Sequence, residues 1–257
     1  MKVLITGAGS GIGLLTALTL AERHHFVYLT THTKEEAKRI KKLVENLNYS
    51  NVEVLKADIT SKEDHKKLLQ LNYDCLINNA AFTTGGSVLD ANIENMKQVY
   101  EVNLFSSLSF LQKTYQKFEK TKKGRIIVIS SLTALAPIPF LGIYSSSKAA
   151  LSSLATSLRN ESILLDNSIE FVLIEPGMYH TGFNQYMLSH ILDDQIFADL
   201  GEDIYKIESA LFQILEKSNL TSIVTKIVKA VEDSKPKRVY RAPMLHTLLC
   251  RVYNLFR

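Results

Sequence analysis

Two short motifs and two single residues carry types and spacings that could do chemistry. The first motif is Thr6-Gly7-Ala8-Gly9-Ser10-Gly11-Ile12-Gly13, which follows a short apolar run and opens a helical pattern. Gly7 permits a tight turn, Gly11 lets the backbone approach a pyrophosphate, and Gly13 lets helix pack on strand. The free N–H groups at the start of the helix would then receive the phosphates. The second motif is Tyr144-Ser145-Ser146-Ser147-Lys148. Positions four apart share a helix face, so phenol and ammonium can point into one pocket. A free phenol titrates near ~10 and exchanges protons poorly at neutral pH, and a nearby cation favours the phenolate. Ser131 stands at the end of the strand-like run 125–130, where a hydroxyl can donate to an oxygen on which charge develops. Asn103 is a polar residue among Val102, Leu104 and Phe105. Each feature alone has a plainer reading: a ligand-free turn, an exposed Tyr and Lys on a polar helix, a satisfied helix amide.

The elements around them decide between these readings. Residues 2–6 read as a buried strand and about 12–23 as a helix, with strand-like runs near 26–30, 52–56, 74–78, 125–130 and 169–175. Helical patterns fill the gaps at about 34–47, 61–70, 92–119 and 143–165. Continuous Val/Ile/Leu runs such as Ile126-Ile127-Val128-Ile129 suit parallel strands covered on both faces. The alternation predicts an α/β fold, a doubly wound parallel sheet with helices on both faces. Right-handed crossovers place a ligand at the C-terminal strand ends, which is where the glycine motif and Ser131 fall.

No proline precedes Pro137 and no linker or repeat interrupts the chain, so residues 1–257 are expected to form a single catalytic domain. The rhythm fades from about 180. Residues 179–202 are irregular and are expected to form a mobile flap over the site. Helical stretches near 203–217 and 219–233, a short run at 237–241 and a terminal helix follow.

With 257 residues, 46% hydrophobic and 22% charged, the composition is that of a globular protein. No apolar run reaches the ~18 residues of a membrane span. The N-terminus passes too quickly into Val3-Leu4-Ile5-Thr6-Gly7 for a signal peptide. Cys75 and Cys250 form no disulfide or metal-ligand pattern. A cytoplasmic location is therefore expected. The net charge of +4 belongs to the basic segment 235–257, which has six Lys and Arg and no acid, while 1–234 carries a net −2. No nucleic-acid footprint is expected on the main body. No His/Cys/Asp cluster has metal spacing, so no metal is expected. Ser130-Ser131 lacks the glycines of a nucleophile elbow, which disfavours a serine hydrolase.

Taken in order, these motifs closely resemble the short-chain dehydrogenase/reductase family in its single-domain form, over about residues 1–185. Its T-G-x-x-x-G-x-G is matched by Thr6 through Gly13. Its N-N-A-G is matched by Asn78-Asn79-Ala80-Ala81, with Ala81 in place of the usual Gly. Its adenine-contacting acid corresponds to Asp58, followed by Ile59, and its P-G-x-x-x-T to Pro176-Gly177-Met178-Tyr179-His180-Thr181. The resemblance implies a Rossmann fold and a catalytic set of Asn103, Ser131, Tyr144 and Lys148. Tyr144 would be general acid in reduction and base in oxidation. Lys148 would lower the Tyr144 pKa and hold the nicotinamide ribose, Ser131 would position the carbonyl, and Asn103 would hold a water in the proton relay. The implied cofactor contacts are Thr6, Gly7, Gly9, Ser10, Gly11, Ile12, Gly13, Thr31, His32, Asp58, Ile59, Asn79, Ala80, Tyr144, Lys148, Pro176, Gly177 and Thr181.

Family members that use NAD usually carry an acid at the end of the second strand. Here Leu29-Thr30-Thr31-His32-Thr33 has none, which leaves room for a 2′-phosphate and points to NADP, with NAD as the alternative. Leu132, Phe140, Met178, Phe183, Tyr186 and Met187 are expected to line the pocket and favour a hydrophobic ketone, aldehyde or secondary alcohol. A catalytically silent dinucleotide-binding redox sensor is the alternative function. The family's common interface implies a homodimer or homotetramer through the helices near 92–119 and 143–165. In 243–256, Met244, Leu245, Leu248, Leu249, Val252 and Tyr253 make one helical stripe. Packing on the chain's own domain or a partner subunit is the expectation for it. The rival is weak, salt-sensitive contact with an anionic membrane.

Overall fold

The computed structural model describes residues 1–165, 167–190, 196–197 and 199–256. Seven strands form one parallel sheet: β1 (Lys2–Ile5), β2 (Phe26–Thr31), β3 (Val52–Lys56), β4 (Cys75–Asn78), β5 (Lys123–Ile129), β6 (Ser168–Pro176) and β7 (Val239–Ala242). Their order is β3-β2-β1-β4-β5-β6-β7. The order reverses between β1 and β4, and a crevice opens there at the C-terminal strand ends.

Because strand side chains alternate, each strand feeds two cores. On one face Ile5, Leu29, Ile77, Ile127 and Ile174 meet α1 (Gly11–Glu22), α2 (Lys34–Asn46) and α9 (Thr221–Glu232). α1 supplies Gly13, Thr16, Ala17, Leu20 and Ala21, one stripe of helical period. On the other face Leu4, Leu76, Ile126, Val128 and Leu173 meet α3 (Lys62–Gln70), α5 (Ser107–Glu119) and α6 (Gly142–Ile163). A smaller cluster of Leu141, Met187, Leu188 and Phe212 joins α6 to α7 (Phe183–Ser189) and α8 (Gly201–Leu215).

Three regions differ from the sequence reading. The helix expected over 92–119 is present and continuous, as α4 (Ile93–Tyr100) and α5, but it holds a π turn at Glu101–Ser106 that the sequence reading lacks. The irregular stretch expected from 179 contains α7, while 191–195 and 198 lie outside the described residues. The terminal helix α10 (Met244–Leu255) buries only His246 completely. Of its apolar stripe, Leu249 and Tyr253 turn toward the domain, while Met244, Leu245, Leu248 and Val252 are exposed, because the buried side is the one carrying His246 and Cys250.

Candidate active site

The glycine loop is clamped to the end of β4. Thr6 Oγ1 accepts the Asn79 and Ala80 N–H groups at 3.0 and 3.1 Å, and Asn79 Nδ2 donates to the Thr6 and Gly7 carbonyls at 3.0 and 2.8 Å. The fit leaves no room for side chains at two glycines. A Cβ on Gly7, whose φ is +62°, would stand 2.6 Å from Ala80 Cα, and one on Gly13 would stand 2.6 Å from Asn79 Nδ2. Thr6 and Ala80 thus position the loop from behind, whereas Gly7, Ser10, Gly11, Ile12, Gly13 and Asn79 line an open cavity of about 580 Å³. Ser10, at the N-cap of α1, makes no side-chain bond to the first turn. α2 and α3, by contrast, are closed by Thr33 and Ser61. A helix start left uncapped over a cavity is a fit for dinucleotide phosphates.

Across the crevice, Ser131, Tyr144 and Lys148 line the same cavity. Ser131 lies two residues after β5, and its Oγ accepts the Thr133 N–H at 3.1 Å and pairs with Thr133 Oγ1 at 2.9 Å. Tyr144 and Lys148 lie one turn apart on α6, with Lys148 Nζ 5.8 Å from the Tyr144 ring centroid. Tyr144 is half-buried in the cavity wall. Burial pushes the phenol pKa up, and a hydrogen bond with Ser131 pulls the other way. The phenol is therefore held protonated, with burial outweighing any cation effect. Burial alone brings the Lys148 ammonium down to about 8, and its Nζ donates to the Ile129 carbonyl at 3.0 Å.

Asn103 sits in the π turn and is fully buried. Its Oδ1 accepts the Phe82 N–H at 2.8 Å, and its two amide hydrogens go to the Phe82 carbonyl (2.8 Å) and Ser147 Oγ (3.0 Å). The side chain thus ties the loop after β4 to α6 instead of reaching the cavity. π turns inside helices recur at functional sites.

Pro176 at the end of β6, Gly177, Met178 and Thr181 on the loop after it, and Phe183 and Met187 on α7 line the cavity. Leu132 joins them, but Phe140 and Tyr186 do not: Phe140 packs on Phe197, and Tyr186 is exposed beside His190. The loop is fastened to the end of α8. Glu216 accepts His180 Nδ1 at 2.8 Å, Asn184 Nδ2 at 2.6 Å and Gln185 Nε2 at 2.8 Å. Phe212, Leu215, His246, Leu249, Cys250 and Tyr253 complete the wall. Leu249 and Tyr253 belong to the stripe that the sequence picks out, but the sequence carries no signal that the tail folds back over this cavity. Met178 N–H donates to His246 Nδ1 at 3.1 Å and draws α10 over the loop.

At the far end of the loop the reading of Thr31 needs correction. Its side chain is wholly buried and its hydroxyl donates to the Thr33 carbonyl at 3.2 Å, so it cannot face a ligand. His32 is exposed. Gly9 faces α2: its carbonyl accepts Arg39 Nη2 at 2.7 Å, an exposed guanidinium that the sequence reading passed over. The nearest acid, Glu36, is turned back onto the His32 and Thr33 N–H groups at 3.1 and 3.4 Å. Asp58 lies after β3, with Ile59 buried next to it. Burial pushes the Asp58 carboxyl up, but bonds from Thr60 and the charges of His32 and Lys56 hold it below its usual value.

The parallel sheet with its switch-point crevice, uncapped helix start and adjoining Tyr, Lys and Ser defines a dinucleotide-binding oxidoreductase. The model of the short chain dehydrogenase family matches residues 1–191, and the chain belongs to that family, a family of nicotinamide-dependent oxidoreductases. The chain is 34% identical over 198 residues to an uncharacterized oxidoreductase, YusZ, of Bacillus subtilis, covering 74% of this chain and 69% of that one. It is 30% identical over 253 residues to an NADPH-dependent 3-dehydrocapnine reductase of Ornithobacterium rhinotracheale, covering 92% and 86%. It is 32% identical over 187 residues to a 3-ketodihydrosphingosine reductase of Bacteroides thetaiotaomicron, covering 70% and 65%. In fold it is similar to a short chain dehydrogenase/reductase of Burkholderia phymatum solved with NAD, with a TM-score of 0.83, 18% identity, and coverage of 100% and 95%.

Proposed function

We propose that the chain is an NADPH-preferring reductase of hydrophobic ketones or aldehydes, able to run in reverse on secondary alcohols. The observation that carries this reading is the placing of Ser131, Tyr144 and Lys148 on one wall of an apolar cavity whose other end is the glycine loop. Tyr144, kept protonated by burial, gives its proton to the carbonyl oxygen. Ser131 donates to the same oxygen and holds it beside the phenol. Lys148 holds the ribose next to the nicotinamide. The nicotinamide, when bound, supplies the hydride. Asn103 acts through Phe82 and Ser147, keeping the loop after β4 and α6 in register, and holds no relay water with its side chain.

Gly7, Ser10, Gly11, Ile12 and Gly13 would hold the phosphates, Asp58 and Ile59 the adenine, and Pro176, Gly177 and Thr181 the nicotinamide. Arg39 and His32 support the choice of NADPH. Both are exposed, next to Gly9 and the end of β2, while Glu36 is occupied by its own helix start. The walls are set by Leu132, Ile138, Met178, Phe183, Phe212 and Leu249, which suits an apolar chain beside the carbonyl. Two of the relatives are reductases of 3-dehydrocapnine and 3-ketodihydrosphingosine by name, in line with a long-chain keto substrate. The chain works in the cytoplasm as a homodimer or homotetramer, for which exposed Phe105 beside α5 and Ile163 at the end of α6 offer apolar contact.

Nicotinamide absorbance read against a panel of ketones, aldehydes and secondary alcohols, with NADPH and NADH in parallel, tests this reading. Consumption of NADPH with long-chain ketones supports it. Protein that binds NADPH but consumes it with no carbonyl would be a redox sensor instead.

A further inference from the structure

The cavity reaches the surface beside α10, where Leu249 and Tyr253 line it and stay half exposed, and α8 lines it through Phe212 and Leu215; the two helices form its lips, and both are apolar on the outside. α10 exposes Met244 (87%), Leu245, Leu248, Val252, Leu255 and Phe256 (88%) to solvent. At a helical 100° per residue these occupy one arc, while His246 and Cys250 face the protein. The apolar face of this helix therefore points away from the domain, the reverse of a surface helix packed on its own core. On the opposite lip, α8 exposes Ile207, Leu211 and Ile214 at the spacing of one face. The lips run without a break into the interior, since their neighbours Phe212, Leu215, Leu249 and Tyr253 line the cavity.

We propose that these two lips dock on the surface of a lipid bilayer, with the cavity mouth facing the acyl chains. Three features favour lipid over a second copy of the chain. The cavity meets the surface at half-exposed Leu249 and Tyr253, and a rigid protein face seated there would stop it, whereas a fluid layer leaves it open and can hold the substrate. Pro243–Phe256 contains a single charged residue, Arg251, so little charge must be desolvated on contact. At the edge of the face, half-exposed Tyr253 on the cavity rim carries a phenol that suits the level of the headgroups.

Charge plays little part in the attachment. Lys235, Lys237 and Arg238 precede β7 and stand at the opposite end of that strand from α10. Four residues of parallel strand separate them from the cavity edge by roughly 13 Å. α8 begins with Glu202 and Asp203, which would not favour an anionic surface. Docking is thus driven by apolar burial and holds at high salt, unlike a basic helix on anionic lipid. No helix among the described residues is long and apolar enough to cross a membrane, so the chain lies on the surface. Delivery of a long-chain ketone from lipid to Tyr144 rests on the reading of the cavity as a substrate pocket, but the docking does not.

Co-sedimentation of the full chain with phosphatidylcholine vesicles, at low and high salt, tests the docking without turnover. Leu248→Glu and Ile214→Glu are the variants, both exposed and outside the cavity wall. Circular dichroism and unchanged reduction of a small water-soluble ketone establish that they are folded. The wild type is expected to sediment with neutral vesicles at both salts, and each variant to bind about tenfold less tightly. A wild type that stays in the supernatant, or variants that sediment equally well, overturn the proposal. So does sedimentation confined to anionic vesicles at low salt. A wild-type dimer that both variants turn into a monomer, with no vesicle binding, assigns the face to a second copy. Vesicle binding with no ketone consumed would defeat the substrate reading and leave the docking standing.

Discussion

Lys148 Nζ donates to the Ile129 carbonyl across the gap between α6 and the end of β5, at 3.0 Å, in a fully buried position. The ammonium has been taken out of water with no carboxylate partner among the described residues, and its pKa falls to about 8. A buried, unpaired cation is costly to the free protein and useful to a ligand that brings oxygen atoms to it.

The stability consequence has a definite sign. The folded pKa lies below the unfolded one, so between about 8 and 10.5 the unfolded chain binds more protons and stability rises with pH. Below pH 8 the full cost is present. Lys148→Met is therefore expected to stabilise the ligand-free protein at pH 7, by about 1–3 kcal/mol. The advantage should fade as the pH passes from about 8 to 10.5. Denaturant melts at pH 7 and pH 10 check this. A Met variant less stable than wild type at pH 7 would show that the ammonium is a net structural asset. The same variant should lose cofactor affinity.

Arg39 is expected to read the 2′-phosphate. Arg39→Ala removes a charge-assisted contact of about 1.5–3 kcal/mol, so the NADPH Kd should rise about 10- to 100-fold while the NADH Kd stays put. Calorimetry with both nucleotides decides the point. Equal weakening of both would mean that Arg39 serves only to hold the Gly9 carbonyl.

Glu216 gathers His180, Asn184 and Gln185 and so fixes the loop that begins at Pro176. Glu216→Ala should loosen that loop and raise the cofactor KM about three- to tenfold, with a smaller change in kcat. Glu216→Gln keeps an acceptor oxygen and should recover part of the loss. Steady-state kinetics of the pair, together with protease sensitivity near 178–190, provides the readout.

Asn103 is fully buried and makes three hydrogen bonds. Asn103→Ala should orphan the Phe82 backbone groups and cost about 2–4 kcal/mol, visible as a lower melting point. A variant with wild-type stability and reduced turnover would restore the relay-water reading.

The sheet was legible because its strands are runs such as Ile126–Ile129, buried on both sides and without polar interruption. The glycine loop and the pair Tyr144 and Lys148 were legible because their spacing reports geometry over one or two turns. Thr31 was misread because a one-residue shift along a strand reverses the face: the sequence places it near the site but does not say which way its hydroxyl turns. The π turn escaped notice because widening one turn of a helix leaves its apolar pattern nearly intact. Arg39 was missed because its approach to Gly9 crosses from α2 to the glycine loop, a tertiary contact with no local signature. The wall made by His246, Leu249 and Tyr253 depends on the chain returning over the site after β7: periodicity marks Leu249 and Tyr253 as part of one stripe but does not say what that stripe meets.

The central claim is that the Tyr144 phenol delivers the proton to the substrate oxygen. It is tested most directly by mixing wild type and Tyr144→Phe with NADPH and an active ketone, while following nicotinamide absorbance and, separately, NADPH binding. Phe keeps the ring and its contact with Phe183, whose centroid lies 5.4 Å away, so the pocket should survive. The account predicts unchanged NADPH binding with turnover reduced about 10²- to 10⁴-fold. A Phe variant that turns over at the wild-type rate would contradict it.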